Sequence, residues 1–266
     1  MQAVTRRALK VMDVEYKAAV LEEVVATHNH LSNNEKCKLT VMLNNYKTLF
    51  YGSLSGFKIK PVSLELKPDS KTVQSRPFTV AQIYREKFKT ELDRLVSIGV
   101  LTPNAYSEWS SPSFLIPKRD GQIRFLSDFR KVNTMIKRKP YPMPLILDLM
   151  QTLEGFTYAT TLDLNMGYYT IKLDDPSKQI CTIVTPWGKY SYKRLPMGLS
   201  CAPDIFQHEM SNLMQEFDWV RTYLDDLLVL SSKSFEDHLN KVELVFKKLI
   251  SARLKVHMKK CNFCDP

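Results

Sequence analysis

Two adjacent aspartates interrupt an apolar run in the stretch RTYLDDLLVLSS, Arg221–Ser232. Tyr223, Leu224 and Leu227–Leu230 surround Asp225 and Asp226 with side chains that favour burial. Burying an ionised carboxylate costs on the order of several kcal/mol unless a partner offsets it. Any fold containing this stretch must therefore either turn there in water or hold a cation there. Two apolar runs split by a two-residue polar step match a β-hairpin, and Asp is a common turn residue, so the stretch alone favours the solvated turn.

A third carboxylate shifts that balance. Asp163 closes the β-branched segment YATTLDL between Leu162 and Leu164, the same placement of an acid among strand-forming apolar residues. Taken singly, it reads as an acid capping a strand end. Yet two such acids, separated by a hairpin and a helix, can lie on adjacent central strands with their side chains converging. Three convergent carboxylates without His or Cys make an all-oxygen site suited to Mg²⁺.

The rest of the chain reads as an alternation of helices and hairpins. Apolar residues recur at helical spacing over Lys36–Phe50, Ala81–Ile98 and Asp204–Phe217, and Ser234 with Asp237 forms a capping pattern ahead of another helix. Pro144–Glu154 predicts a further helix ended by Gly155. SPSFLIPKRDGQIRFLSDF predicts a hairpin turning at Asp120-Gly121, TIVTPWGKYSY one turning at Trp187-Gly188, and RLKVHM a last strand. Residues 1–35 read as a polar N-terminal extension, and Gly52–Pro77 as an extended stretch rich in Ser, Pro and Lys. The fold class expected is α+β, an antiparallel sheet with helices on one face.

Composition narrows the partners. With 266 residues, 44% of them apolar, the chain can bury a sizeable core. The net charge of +10 is concentrated. Between Ser113 and Pro140 stand Lys118, Arg119, Arg124, Arg130, Lys131, Lys137, Arg138 and Lys139 against Asp120 and Asp128, and Lys241–Lys260 holds seven Lys and Arg against Glu243. Such clusters suit a polyanion, or form a solvated basic face. No apolar run approaches the roughly 20 residues that span a bilayer. Acids interrupt the stretch after Arg6 and Arg7, so no secretory signal is expected, and five scattered cysteines fit reduced thiols of the cytosol or nucleus. His257, Cys261 and Cys264 lack a fourth zinc ligand. Trp109, Trp187 and Tyr190 are core aromatics or, less expectedly, base-stacking rings. Nothing in the sequence specifies an oligomeric state.

Five segments together carry a family resemblance. TYLDDLLVLS resembles the Tyr-X-Asp-Asp box of reverse transcriptases, and LDLNMGYYTIKL their first aspartate motif. YKRLPMGLSCAPDIFQ resembles the segment between those two, IRFLSDFRKVN the fingers motif, and ELDRLVSIGVLTPNAYSEWSSPSFLIPK the lead-in. Their order and spacing are similar to those of gypsy-type long-terminal-repeat retrotransposon polymerases over roughly Lys36 to Cys264.

That resemblance implies a right-hand polymerase fold. Residues 36–80 would lead into the polymerase and 81–266 would form its fingers and palm, with an antiparallel palm sheet backed by helices. In the family's pattern the primer grip, thumb and ribonuclease H regions come next, after Pro266. The implied reaction is RNA- and DNA-directed addition of deoxyribonucleotides to a primer 3′-hydroxyl, using two Mg²⁺ ions or Mn²⁺. Asp163, Asp225 and Asp226 would be the catalytic metal ligands, with the Leu164 carbonyl as another. Lys118 and Arg124 would clamp the deoxyribonucleoside triphosphate, Tyr168 would lie under its sugar, and Met197 and Gly198 would line its pocket. Partners would be an RNA or DNA template with its primer, and the setting a cytoplasmic virus-like particle or the nucleus. The rival implication is an inactive remnant that only binds nucleic acid. Ser127-Asp128-Phe129-Arg130 stands where relatives commonly carry Val-Asp-Tyr-Arg.

Overall fold

The computed structural model describes residues 20–117, 123–144 and 155–266. Among them the strands are β1 (Leu101–Pro103), β2 (Ser111–Pro117), β3 (Ile123–Ser127), β4 (Tyr158–Asp163), β5 (Thr182–Thr185), β6 (Gly188–Tyr192), β7 (Val220–Tyr223), β8 (Asp226–Ser231) and β9 (Asn262–Asp265). The α-helices are α1 (Leu21–Ala26), α2 (Asn33–Asn45), α3 (Gln82–Ser97), α4 (Arg130–Met135), α5 (Asp175–Ile180), α6 (Ala202–Met214) and α7 (Phe235–Ser251). Two compact units result. One comprises Lys60–Lys139 and Ile171–Ala202, the other Tyr16–Ile59, Pro140–Thr170 and Pro203–Pro266, each over its described residues. Lys118, the Asp120-Gly121 turn and, beyond Pro144, the helix expected to Glu154 lie outside the described residues.

The first unit holds a five-stranded sheet in the order β1-β6-β5-β2-β3. The expected hairpin pairs β2 with β3 antiparallel, from Ser113↔Ser127 to Pro117↔Ile123. β2 runs parallel to β5, so this sheet is mixed. The β5-β6 turn falls one residue earlier than expected: Thr185 pairs with Gly188, leaving Pro186-Trp187 as the loop. α3 buries Phe88, Leu92 and Leu95 along one stripe, and the Phe88 ring meets Phe125 at 5.2 Å and Trp187 at 5.5 Å, both edge-on. Trp187 thus serves the core. Ser127 also has a packing reason: its hydroxyl bonds Ser113 Oγ at 3.1 Å and the Tyr192 hydroxyl at 2.9 Å, all buried. A valine there would break that polar chain.

In the second unit β7-β8-β4-β9 form an all-antiparallel sheet. Helix α7 packs on β8 and β4. It starts where Ser234 Oγ accepts the Asp237 N–H (3.2 Å), with Glu236 and Asp237 in its first turn. Phe235, His238, Val242, Val245, Phe246 and Leu249 form its buried stripe. Each large apolar side chain buried this way contributes about 1.5–3 kcal/mol. α2 begins earlier than its periodicity implies because Ser32 and Glu35 make a reciprocal capping box, and it runs across the 35/36 boundary read from the sequence.

The end of the chain corrects another expectation. RLKVHM makes only an isolated bridge, Leu164↔Val256. Arg253 in the left-handed conformation (φ +59°) and a 3₁₀ turn over Met258–Lys260 break the strand its alternation suggests. The last strand is β9, whose register against β4 shifts between Ala159 and Thr161, where Cys264 takes φ +54°.

His238 ties β4 to β8. Its Nε2 lies 2.7 Å from Thr160 Oγ1 and its Nδ1 2.8 Å from Ser231 Oγ, and the residue is fully buried. Burial, and then Lys241 nearby, hold its pKa down at about 4, so the imidazole is neutral. An unfolded His titrates near 6.5, so this site's stabilisation is complete above about pH 6.5 and is lost as pH falls toward 4, by up to about 3 kcal/mol. Urea unfolding at pH 7 and pH 4.5 is expected to show a larger stability loss for the natural chain than for His238→Gln. Equal losses would contradict this account of His238.

Candidate active site

The three aspartates assemble at one end of the β4-β8 pair. Asp163 is the last residue of β4 and Asp226 the first of β8, and they are direct cross-strand partners. Tyr223 pairs with Asp226 across β7 and β8, so Leu224 and Asp225 are the two turn residues. Leu224 takes φ +51°, at a turn position that Gly ordinarily fills. The Leu164 N–H donates to the Asp225 carbonyl at 2.9 Å, tying the turn to the residue after Asp163. The stretch is a hairpin turn whose two corner residues are half-buried, with Asp226 exposed beside them.

Burial, then Asp163 and Asp226, push the Asp225 carboxyl up to about 6, against the opposing pull of Lys260. Burial and then Asp163 also raise Asp226. Lys260 Nζ sits 3.1 and 3.0 Å from the two Asp163 carboxylate oxygens. Asp225 Oδ1 is shielded from solvent and has no hydrogen-bond partner among the described residues. The space it occupies exists because residue 167 is Gly: a Cβ there would lie 2.0 Å from that oxygen. Like-charged carboxylates with a shielded, unpartnered oxygen and an all-oxygen donor set fit a hard divalent cation. The backbone brings the three acids together, whereas their carboxylates do not close round one point. Among the described residues no three His, Cys, Asp or Glu side chains are arranged to hold a metal ion; Asp163 is engaged by Lys260 and Asp225 lies over Gly167.

Comparison with known proteins decides the family. The sequence family described as reverse transcriptase (RNA-dependent DNA polymerase) matches residues 116–266, more than half of the chain. The chain belongs to the reverse transcriptase family. Similar proteins include the retrovirus-related Pol polyprotein from transposon 297 of Drosophila melanogaster, 30% identical over 88% of this chain and 23% of the relative. Another is the Tf2-3 transposon polyprotein of Schizosaccharomyces pombe, 33% identical over 57% of this chain and 12% of the relative. The chain thus spans about a quarter or less of the curated relatives it matches. Among solved structures, the foamy viral protease-reverse transcriptase with RNA/DNA hybrid aligns with a TM-score of 0.83 at 24% identity, covering 91% of this chain and 33% of that one. The same protein with dsDNA aligns at 0.82 and 25% identity, over 92% and 51%. The fold is that of a right-hand polymerase.

In this reverse transcriptase chain Tyr168 belongs to the same unit as the acids. Its half-buried ring lies 5.2 Å from that of Phe206, and burial, followed by Asp225 and Tyr223, pushes its hydroxyl up to about 12. Arg124, Met197 and Gly198 lie in the other unit. Arg124 is exposed on β3. Met197 is exposed, and Gly198 at φ +95° passes so close to the Ser127 carbonyl that a Cβ would sit 2.9 Å from it. Asn133 holds this loop, donating to the Gly198 carbonyl and accepting from the Ser200 N–H, both at 2.9 Å.

Several contributors escape a reading of the sequence. Lys260 counts there only as one charge in a basic cluster, yet it pairs with Asp163, while Lys241, Lys247 and Lys248 pair with Asp237, Glu243 and Glu216. Much of that cluster's charge is therefore engaged within the fold. Gly167 and the buried Gln207 stand inside quoted motifs, but their partners are distant in the chain. The Cys261 thiol donates to the His257 carbonyl, and burial pushes both Cys261 and Cys264 up to about 12, which suits thiols packed in a core.

Proposed function

We propose that this chain is the fingers and palm of a gypsy-type retrotransposon polymerase that adds deoxyribonucleotides to a primer 3′-hydroxyl, copying RNA or DNA. The observation that carries this reading is the direct pairing of Asp163 with Asp226 across β4 and β8, with Asp225 in the adjoining turn. Asp163 and Asp225 would hold two divalent ions, Mg²⁺ or Mn²⁺, with the Leu164 carbonyl as a further ligand and Asp226 on the primer side. When bound, such ions supply an activated hydroxyl nucleophile and charge neutralisation at the leaving pyrophosphate. Lys118 and Arg124 would clamp the triphosphate, where the planar fork of Arg matches phosphate oxygens. Tyr168 would bear on the sugar from its brace against Phe206, and Met197 and Gly198 would line the nucleotide pocket. Template and primer would be RNA or DNA, in keeping with the RNA/DNA hybrid and dsDNA named for the foamy viral structures. The five cysteines, which form no disulfide among the described residues, support a cytoplasmic particle or the nucleus as its setting.

The test is primer extension by the purified 266-residue chain with each deoxyribonucleotide in turn. Addition of the complementary nucleotide alone, abolished by chelating the divalent ion, is the expected result. Binding without extension would favour the remnant that only binds nucleic acid. Affinity for primer–template should rest on exposed Lys and Arg, and so fall roughly tenfold or more between 50 and 200 mM salt, measured by fluorescence anisotropy. Salt-independent binding would contradict the phosphate contacts.

A further inference from the structure

Gln207 on α6 is completely buried, and it bonds the backbone on both sides of Tyr223. Its Oε1 accepts the Leu224 N–H at 2.7 Å, while its Nε2 donates to the Thr222 carbonyl at 3.0 Å, with Thr222 Oγ1 and Ser211 Oγ each at 3.1 Å. A backbone N–H only donates and a carbonyl only accepts, so the amide has one orientation that satisfies both. Leu224, the residue it grips, is the one in the left-handed conformation, φ +51°. Residues other than Gly, Asn and Asp seldom hold that conformation without outside support. Asp225 and Asp226 follow directly, and a two-residue turn offers no slack: a change at Leu224 rotates both acids relative to Asp163. Leu164 holds the far side of the turn through the Asp225 carbonyl.

We propose that Gln207 is a positioning residue that holds Leu224 left-handed and so sets the backbone from which Asp225 and Asp226 would reach a divalent cation. The inference rests on the metal-site reading above. It concerns a side chain that touches neither substrate nor ion and acts only through the turn.

The test measures Mn²⁺ binding to the 266-residue chain by electron paramagnetic resonance, alongside single-nucleotide addition and thermal melting. Gln207→Met keeps the side-chain length and loses both polar ends. It is expected to weaken Mn²⁺ binding and slow addition at least about tenfold. Gln207→Glu keeps the volume and the acceptor for Leu224 but sets an oxygen against the Thr222 carbonyl, and it carries the test where Gln207→Met does not fold. The distinguishing step adds Leu224→Gly to either variant. Gly adopts positive φ without strain, so the double variant should recover at least threefold of the lost Mn²⁺ affinity, whatever its melting temperature. A folded Gln207 variant that binds Mn²⁺ like the natural chain, or a loss that Leu224→Gly does not restore, would overturn the role of Gln207. A natural chain that binds no Mn²⁺ would instead overturn the metal site itself.

Discussion

Asp225→Asn is expected to lower nucleotide addition by at least about 10³-fold while the folded chain melts no lower than the natural one. An amide offers one neutral oxygen where the carboxylate offers two charged ones, so the proposed cations would lose a ligand. Stability moves the other way. With its carboxyl pushed up to about 6 by burial and by Asp163 and Asp226, Asp225 is ionised at pH 7.5 at a cost on the order of 3 kcal/mol, which Asn does not incur. Affinity for primer–template without divalent ions should stay within about twofold, because on the proposed function it would come from Lys and Arg on phosphates. Extension assays and calorimetry on the two proteins check these outcomes together. Undiminished addition by the Asn variant would remove Asp225 from the chemistry.

The second large effect concerns sugar choice. The Tyr168 ring is braced by Phe206, and its hydroxyl, pushed up to about 12, is neutral at any working pH. If the ring rejects a ribose 2′-hydroxyl by contact, Tyr168→Ala should lower the preference for deoxyribonucleotides over ribonucleotides by about tenfold or more. Tyr168→Phe, which keeps the ring, should leave the preference nearly unchanged. The ratio of the two kcat/KM values is the measurement, and an unchanged ratio in Tyr168→Ala would make the residue a packing aromatic only.

The parts legible in the sequence are those whose signal is local. Asp225 and Asp226 stand out because six neighbours favour burial, and α3 and α7 because their buried stripes repeat at helical spacing. α5 has six residues, too few for a period, and only its Asp174 cap and Pro176 could have marked it. RLKVHM alternates like a strand because Leu254, Val256 and Met258 are buried, but alternation does not report that Arg253 turns left-handed. Lys260, Gly167 and Gln207 matter through partners 97, 58 and 17 residues away. No window read along the chain brings those partners together. His238 is the same case: an imidazole in a helix stripe gives no sign that it joins Thr160 to Ser231.

Diffraction from crystals of this chain grown with Mn²⁺, primer–template and an unreactive nucleotide analogue, recorded for manganese anomalous scattering, tests the central claim most directly. A peak at coordination distance from carboxylate oxygens of both Asp163 and Asp225, with Lys260 displaced from Asp163, is the predicted result. Manganese bound elsewhere while Asp163 remains on Lys260 would contradict the assignment of these acids as the metal-holding centre.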